Sequence, residues 1–216
     1  MRRFFFLSAY LIAVAAASLG LWRWGEARGV ERLAARGEAD LTLASDRLES
    51  QLRRYRELAV LMAEHPVLTE LRNGGETVVD TTAPAVALLQ EAADKTGAMG
   101  LVAVDAEGRV LAQAGIDLPP MKAEPVFKRA LQGALGQSFG RLGDMRVYVF
   151  GAPAFGPDKK VSGVLMVVVN VGDLEWDWIG SNPPAYFTDA AGQVFISNRS
   201  ELIFWREAAE GGLTPP

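Results

Sequence analysis

Leu101-Val102-Ala103-Val104-Asp105-Ala106-Glu107-Gly108-Arg109-Val110-Leu111-Ala112 reads as strand, turn, strand. The arrangement returns 84 residues later in Tyr186-Phe187-Thr188-Asp189-Ala190-Ala191-Gly192-Gln193-Val194-Phe195-Ile196-Ser197. In both copies apolar runs flank Asp-Ala-x-Gly, and the glycine supplies the positive φ that a short hairpin loop demands. One such hairpin is a weak signal. Two, with matching strands on both sides, predict a pair of related subdomains.

Three further elements are expected between the hairpins. Residues 123–135 (AEPVFKRALQGAL) form a short amphipathic helix, with Pro125 tolerated in its first turn. Residues 146–153 (RVYVFGAP) and 161–171 (VSGVLMVVVNV) are strands joined by the polar turn Gly156-Pro157-Asp158-Lys159-Lys160. The second of these is almost continuously apolar, which places it centrally with cover on both faces. Gly133, Gly136, Gly140 and Gly143 are expected to run through a helix end and a loop, not between strand and helix as a phosphate cradle requires. The order strand, strand, helix, strand, strand is a small antiparallel sheet with helical cover, an α+β arrangement.

Upstream, residues 26–71 read as a long helix. Leu41, Leu48, Tyr55 and Met62 recur every seven residues, with Ala44, Leu52 and Leu58 on the same face. Asp46, Glu49, Arg53, Arg54, Glu57 and Glu64 occupy the other face, where Glu49–Arg53 and Arg53–Glu57 stand at ion-pair spacing. His65-Pro66 is expected to kink or end the helix, and Asn73-Gly74-Gly75 to close the segment. A histidine in that place is a capping or packing residue. Earlier still, residues 4–22 carry no charge and would rise roughly 28 Å as a helix, close to the hydrocarbon thickness of a bilayer. Trp22 and Trp24 stand where an interfacial belt would lie, so a membrane anchor is expected in preference to a cleaved leader ending near Ala15-Ala16-Ala17-Ser18. Arg2 and Arg3 precede this run while Arg23, Arg28, Arg32 and Arg36 follow it, so basic residues alone do not orient the chain.

The 216 residues allow one domain or two small ones, and an apolar half with 22% charged residues is ordinary for a folded chain. A net charge of −4 argues against nucleic acid as a partner. With no cysteine and one histidine, thiolate chemistry and multi-histidine metal sites have no residues to use, and little room is left for a Ser–His–Asp relay. No catalytic motif is present, and Asp105 and Asp189 are turn formers by position.

The residues from Leu101 to Phe204 resemble the double-PAS-like (dCache) periplasmic sensor of the C4-dicarboxylate-sensing two-component histidine kinases. The resemblance rests on Asp105-Ala106-Glu107-Gly108 with its strands, on Glu124-Pro125-Val126-Phe127-Lys128-Arg129-Ala130-Leu131 with Gly133 and Gly136, and on Tyr148 through Pro153. It continues through Gly163-Val164-Leu165-Met166-Val167-Val168-Val169, Leu174-Glu175, Trp178 and the Asp189 hairpin. Leu58 through Pro66 resemble the end of that family's long first helix.

The implied plan is a transmembrane anchor over 1–25, a long stalk helix over 26–73, a membrane-distal PAS-like lobe over 82–175 and a shorter, incomplete membrane-proximal lobe over 176–216. The resemblance implies the extracytoplasmic signal-sensing portion of a membrane-bound sensor kinase, held in the bacterial inner membrane with its bulk periplasmic. A homodimer is expected, with a response regulator engaged through a kinase beyond this chain. ATP would serve only that kinase, and no cofactor is expected here. The alternatives are a sensory module of another output, such as a chemoreceptor or a cyclic-nucleotide enzyme, or an anchored coiled-coil interaction protein.

The chain departs from that family where the ligand would sit. The family's Phe-Arg-Pro-Tyr-Phe-like run, whose arginine and tyrosine face the ligand, reads Ala123-Glu124-Pro125-Val126-Phe127. Its Ser-Tyr-Pro reads Gly151-Ala152-Pro153, and its lysine near the strand end reads Val168. A buried dianion needs buried cations or donors, and Glu124 adds the wrong charge. The expected ligand is therefore not a C4-dicarboxylate but something neutral, cationic or apolar, or the pocket has none. Lys122, Glu124, Arg146, Tyr148 and Asn170 remain as polar candidates for ligand contact.

Overall fold

The computed structural model describes residues 2–73, 78–117, 125–176, 178–208 and 211–216, with side chains left out at 2–17, 20, 26–27 and 78–81. The chain divides into two compact units, residues 1–46 and 47–216.

The first unit is the opening part of one helix, α1 (Arg2–Ala63). Leu19, Leu21, Trp22, Trp24, Val30, Leu33, Leu41 and Leu43 are exposed along it. The expected membrane anchor falls mostly on side chains outside the described residues. Among the described residues no helix is long and apolar enough to cross a membrane.

In the second unit α1 continues as the amphipathic helix the heptads predict. Leu48, Tyr55, Ala59 and Met62 are buried, whereas Leu41, expected on the same stripe, stands in solvent in the first unit. The helix stops at Ala63 because Pro66 offers no N–H and clashes with a continuing turn. Pro66 opens α2 (Pro66–Asn73) instead, and His65 Nδ1 accepts the Val67 amide at 3.4 Å, so the histidine caps as expected. A further helix, α3 (Val78–Thr96), is absent from the sequence expectations; it buries Ala85, Leu89 and Ala93 at a spacing of four.

The sheet consists of β1 (Gly100–Asp105), β2 (Val110–Ala114), β3 (Gly136–Leu142), β4 (Met145–Phe155) and β5 (Val161–Asn170) in the order β2-β1-β5-β4-β3. All neighbours run antiparallel. The apolar run of β5 is central, as its composition demands. β3 corrects the sequence expectation of a loop over Gly136 and Gly140. Its exposure alternates along its length, and it forms the sheet's edge against β4, where short polar-alternating strands are tolerated.

Two cores follow from the period of two along each strand. On one face Leu101, Ala103, Tyr148, Phe150, Leu165, Val167 and Val169 pack with Tyr55, Met62, Leu68 and Leu89 of α1, α2 and α3. On the other, Val102, Val104, Val147, Val149, Val164, Met166 and Val168 pack with Val126, Phe127 and Ala130 of α4 (Pro125–Leu131).

After β5 the chain turns at once into α5 (Val171–Glu175), then forms a hairpin, β6 (Tyr186–Thr188) with β7 (Val194–Ser197), and a small ribbon, β8 (Arg206–Glu207) with β9 (Leu213–Thr214). The two predicted hairpins share one turn geometry. Asp105 Oδ1 accepts the amides of Glu107 and Arg109 at 3.0 and 2.8 Å, and Asp189 Oδ1 accepts those of Ala191 and Gln193 at 2.8 and 3.0 Å. Gly108 and Gly192 have φ of 79° and 73°, and both copies shift register just before the aspartate, at Ala103/Val104 and Phe187/Thr188.

Gly192→Ala has room for its methyl group, the nearest heavy atom being 3.8 Å away, so its effect isolates backbone strain. We expect a loss of about 1–2 kcal/mol in urea unfolding.

Candidate functional site

The face beneath α4 is where the sequence placed its ligand site. Pro125 opens this short helix, and Val126, Phe127 and Ala130 turn inward while Lys128 and Arg129 stay exposed. The helix sits directly on a dent in the sheet. Gly136 of β3 and Gly151 of β4 are register partners, and the absence of two side chains lets Val126 reach the backbone. A Cβ on Gly151 would lie 2.5 Å from Val126 Cγ1, and one on Gly136 would collide with the Val126 carbonyl oxygen.

Three of the departures noted in the sequence, Val126, Gly151 and Val168, thus converge in space, whereas Ala152 faces the opposite core and Ala123 and Glu124 lie outside the described residues. Val126 and Gly151 touch, and Val168 belongs to the same buried cluster. Every buried side chain of that cluster is apolar. Among the described residues an apolar wall of this kind stabilises α4 by burial and offers a carboxylate no side-chain donor.

The five polar candidates divide differently. Lys122 and Glu124 lie outside the described residues. Arg146 and Tyr148 share the strand parity of Phe150 and face away from α4. The Arg146 guanidinium binds Glu175 through both nitrogens, Nη1 to Oε1 at 2.8 Å and Nη2 to Oε2 at 2.7 Å, with side chains 16% and 5% exposed. Its Nη1 also donates to the Phe195 carbonyl at 2.5 Å, and the Ser197 amide donates to Glu175 Oε1 at 2.9 Å. The Tyr148 ring meets Phe139 edge-on at 4.5 Å, and Phe139 in turn meets Phe195 at 4.7 Å. Asn170 caps α5, its Oδ1 accepting the Gly172 amide at 3.0 Å.

Arg146 and Tyr148 therefore lie along the seam between the sheet and the segment after β5, whereas Asn170, the register partner of Val147, ends β5 and caps α5. Glu175, Phe139, Phe195 and Ser197 complete that seam and were not among the candidates. Nothing local marks them. Glu175 stands in Val-Gly-Asp-Leu-Glu-Trp, where its burial follows only from the distant arginine that it pairs with. Among the described residues no cluster of histidine, cysteine, aspartate and glutamate is suited to a metal ion. Burial pushes the Tyr148 phenol above its ordinary value.

Comparison with known proteins yields one curated relative of note. The chain is 29% identical over 184 residues to the C4-dicarboxylate transport sensor protein DctB of Pseudomonas aeruginosa, a match covering 81% of the chain. It also superposes on the sensor domain of the Vibrio cholerae histidine kinase DctB with a TM-score of 0.68 and 17% identity, over 86% of the chain and 73% of that domain. The resemblance to the periplasmic dicarboxylate-sensor region holds. The chain spans 29% of the length of the Pseudomonas sensor protein. The dicarboxylate-sensor fold is also shared with chemoreceptors: the ligand-binding domain of Pseudomonas fluorescens CtaA, solved with L-serine, matches with a TM-score of 0.62 and 14% identity over 81% of the chain and 76% of that domain. No family model matches the chain.

Two measurements probe this sheet. Gly151→Ala forces Val126 and α4 outward and is expected to cost about 1–3 kcal/mol in urea unfolding. Adding Val126→Ala should return part of that loss, a non-additive result that independent sites would not give. Tyr148 supplies a second test. Because its folded-state phenol is raised, its contribution to stability is intact below the ordinary tyrosine value near 10 and falls as pH climbs through it. Between roughly pH 9 and 11 the wild type should therefore lose stability relative to Tyr148→Phe.

Proposed function

We propose that this chain is the extracytoplasmic receiving part of a membrane-bound signalling protein, with a two-component sensor kinase as its output. The observation that carries this is the relation to the Pseudomonas sensor protein over 184 residues, supported by the shared fold with the Vibrio sensor domain over 86% of the chain. In this arrangement residues 1–25 hold the protein in the inner membrane, the bulk of the chain is periplasmic, and the long helix links sheet to membrane. The working state is a homodimer, and a kinase beyond this chain uses ATP and passes phosphate to a response regulator. A chemoreceptor output is the second reading, and the shared fold of the chemoreceptor domain solved with L-serine favours it. Both outputs use the same receiving module.

The ligand is not a C4-dicarboxylate. Val126, Gly151 and Val168 offer no charge or donor to a carboxylate, and Arg146 is already engaged by Glu175 on the opposite side. Taking two carboxylates from water without partners costs several kcal/mol each, more than the contact area of a four-carbon chain returns. Lys122, Glu124 and Asn170 are the remaining polar residues proposed to meet a neutral or cationic ligand.

Calorimetric titration of the full chain with succinate, fumarate or malate should show no binding tighter than about 1 mM. A thermal-shift panel of neutral, cationic and apolar small molecules should contain at least one that raises the melting temperature. Micromolar succinate binding lost on changing Lys122 would refute the ligand assignment, and a panel without any stabiliser would speak for an anchored interaction protein instead.

A further inference from the structure

The seam between the sheet and the residues after Asn170 holds an ion pair whose side chains are both largely buried. β5 ends on Asn170, whose side chain caps α5, so the central strand runs into α5 without a loop. Four residues beyond the first of α5, Glu175 turns back and grips Arg146 at the start of β4, the neighbouring strand. The circuit β4, Arg146, Glu175, α5, β5 is thereby closed by one bidentate ion pair.

That pair is also the point where the second hairpin is attached. Arg146 donates to the Phe195 carbonyl and Glu175 accepts the Ser197 amide, so β7 is hydrogen-bonded to both charges. Phe195 adds its ring to Phe139 of β3, which carries Tyr148 behind it, and the Arg141 guanidinium lies 5.1 Å from the Phe204 ring. Trp178 fixes the exit of α5, its indole N–H donating to the Leu174 carbonyl at 2.9 Å. Two strands of the sheet, β3 and β4, together with α5 thus hold the hairpin through directional contacts, beside the apolar burial of Phe195 and Ile196, and the buried pair is central to those directional contacts.

We propose that the Arg146–Glu175 pair is a mechanical joint that makes the β6–β7 hairpin follow the β4–β5 strands. Displacement of β4 or β5 from the α4 side moves Arg146 along its own strand and α5 by direct continuity, and the pair forces both displacements onto Phe195 and Ser197. Fork-to-fork geometry suits the task, since two parallel hydrogen bonds fix direction as well as distance. The joint goes beyond the sensor assignment, and its test needs no ligand, so each fails or stands by itself.

Amide hydrogen exchange of the full chain reads the joint residue by residue. In Arg146→Met the amides of residues 194–198 should exchange on the order of a hundredfold faster, because removing one partner of a buried pair leaves the other unpaired. Amides of β1 and β5 should keep their wild-type rates. Arg146→Met/Glu175→Leu removes the orphaned charge and should restore the melting temperature while residues 194–198 stay fast. Should Arg146→Met fold poorly, Arg146→Lys keeps the charge without the fork and should give about a tenfold local effect. The joint is refuted by unchanged exchange at 194–198, by equal acceleration throughout the sheet, or by a double variant that regains wild-type protection there.

Discussion

β5 presents Val164, Met166 and Val168 to one side of the sheet and Leu165, Val167 and Val169 to the other, all of them buried. A strand apolar on both faces must be covered twice, and the covers here are unequal. The end of α1 with α2 and α3 supplies one, and a single short helix, α4, supplies the other. Long helices share their burial over many turns, whereas a helix of seven residues has too few turns to persist by itself. α4 therefore depends on its docking, and the glycine pair Gly136 and Gly151 makes that docking close. A layer held by three inward side chains is the one most readily displaced.

The repeated hairpin was legible because its information is local. Asp105 and Asp189 each satisfy two backbone amides from one oxygen, and Gly108 and Gly192 each take a positive φ, so four residues specify the turn regardless of what packs on it. The central strand and the break at His65-Pro66 were legible for the same reason. β3 was not, because its glycines at 136 and 140 and its polar neighbours suggest a loop, and only the hydrogen bonds of β4 make it a strand. α3 hides behind Pro84, although Ala85, Leu89 and Ala93 carry the helical period. The seam was least legible. Arg146 and Glu175 are 29 residues apart, and Arg146 and Phe195 are 49 apart, distances over which no periodicity speaks.

The candidate ligand residues show the same limit from the other side. Arg146 and Tyr148 looked available because they are polar residues on a strand next to an expected pocket. Strand parity decides otherwise: Val147 and Val149 take the α4 face, which sends Arg146 and Tyr148 to the opposite one. A one-residue register difference would exchange the two sets and place a cation beneath α4. The chemistry of the site thus turns on register, which is fixed by pairing of Val147 with Asn170 and Gly151 with Met166.

A buried ion pair is a poor source of stability, since desolvating two charges offsets most of their attraction. Its presence at the seam therefore calls for another physical reason, and direction is the one the geometry supplies. Apolar side chains in place of Arg146 and Glu175 would bury similar area but would let β7 slide, because dispersion contacts hardly distinguish small lateral shifts. Two charges that each hold a backbone group of β7 do distinguish them: a slip of one residue would leave the Phe195 carbonyl and the Ser197 amide without partners. The seam accordingly transmits position where an apolar contact of the same size would only resist separation.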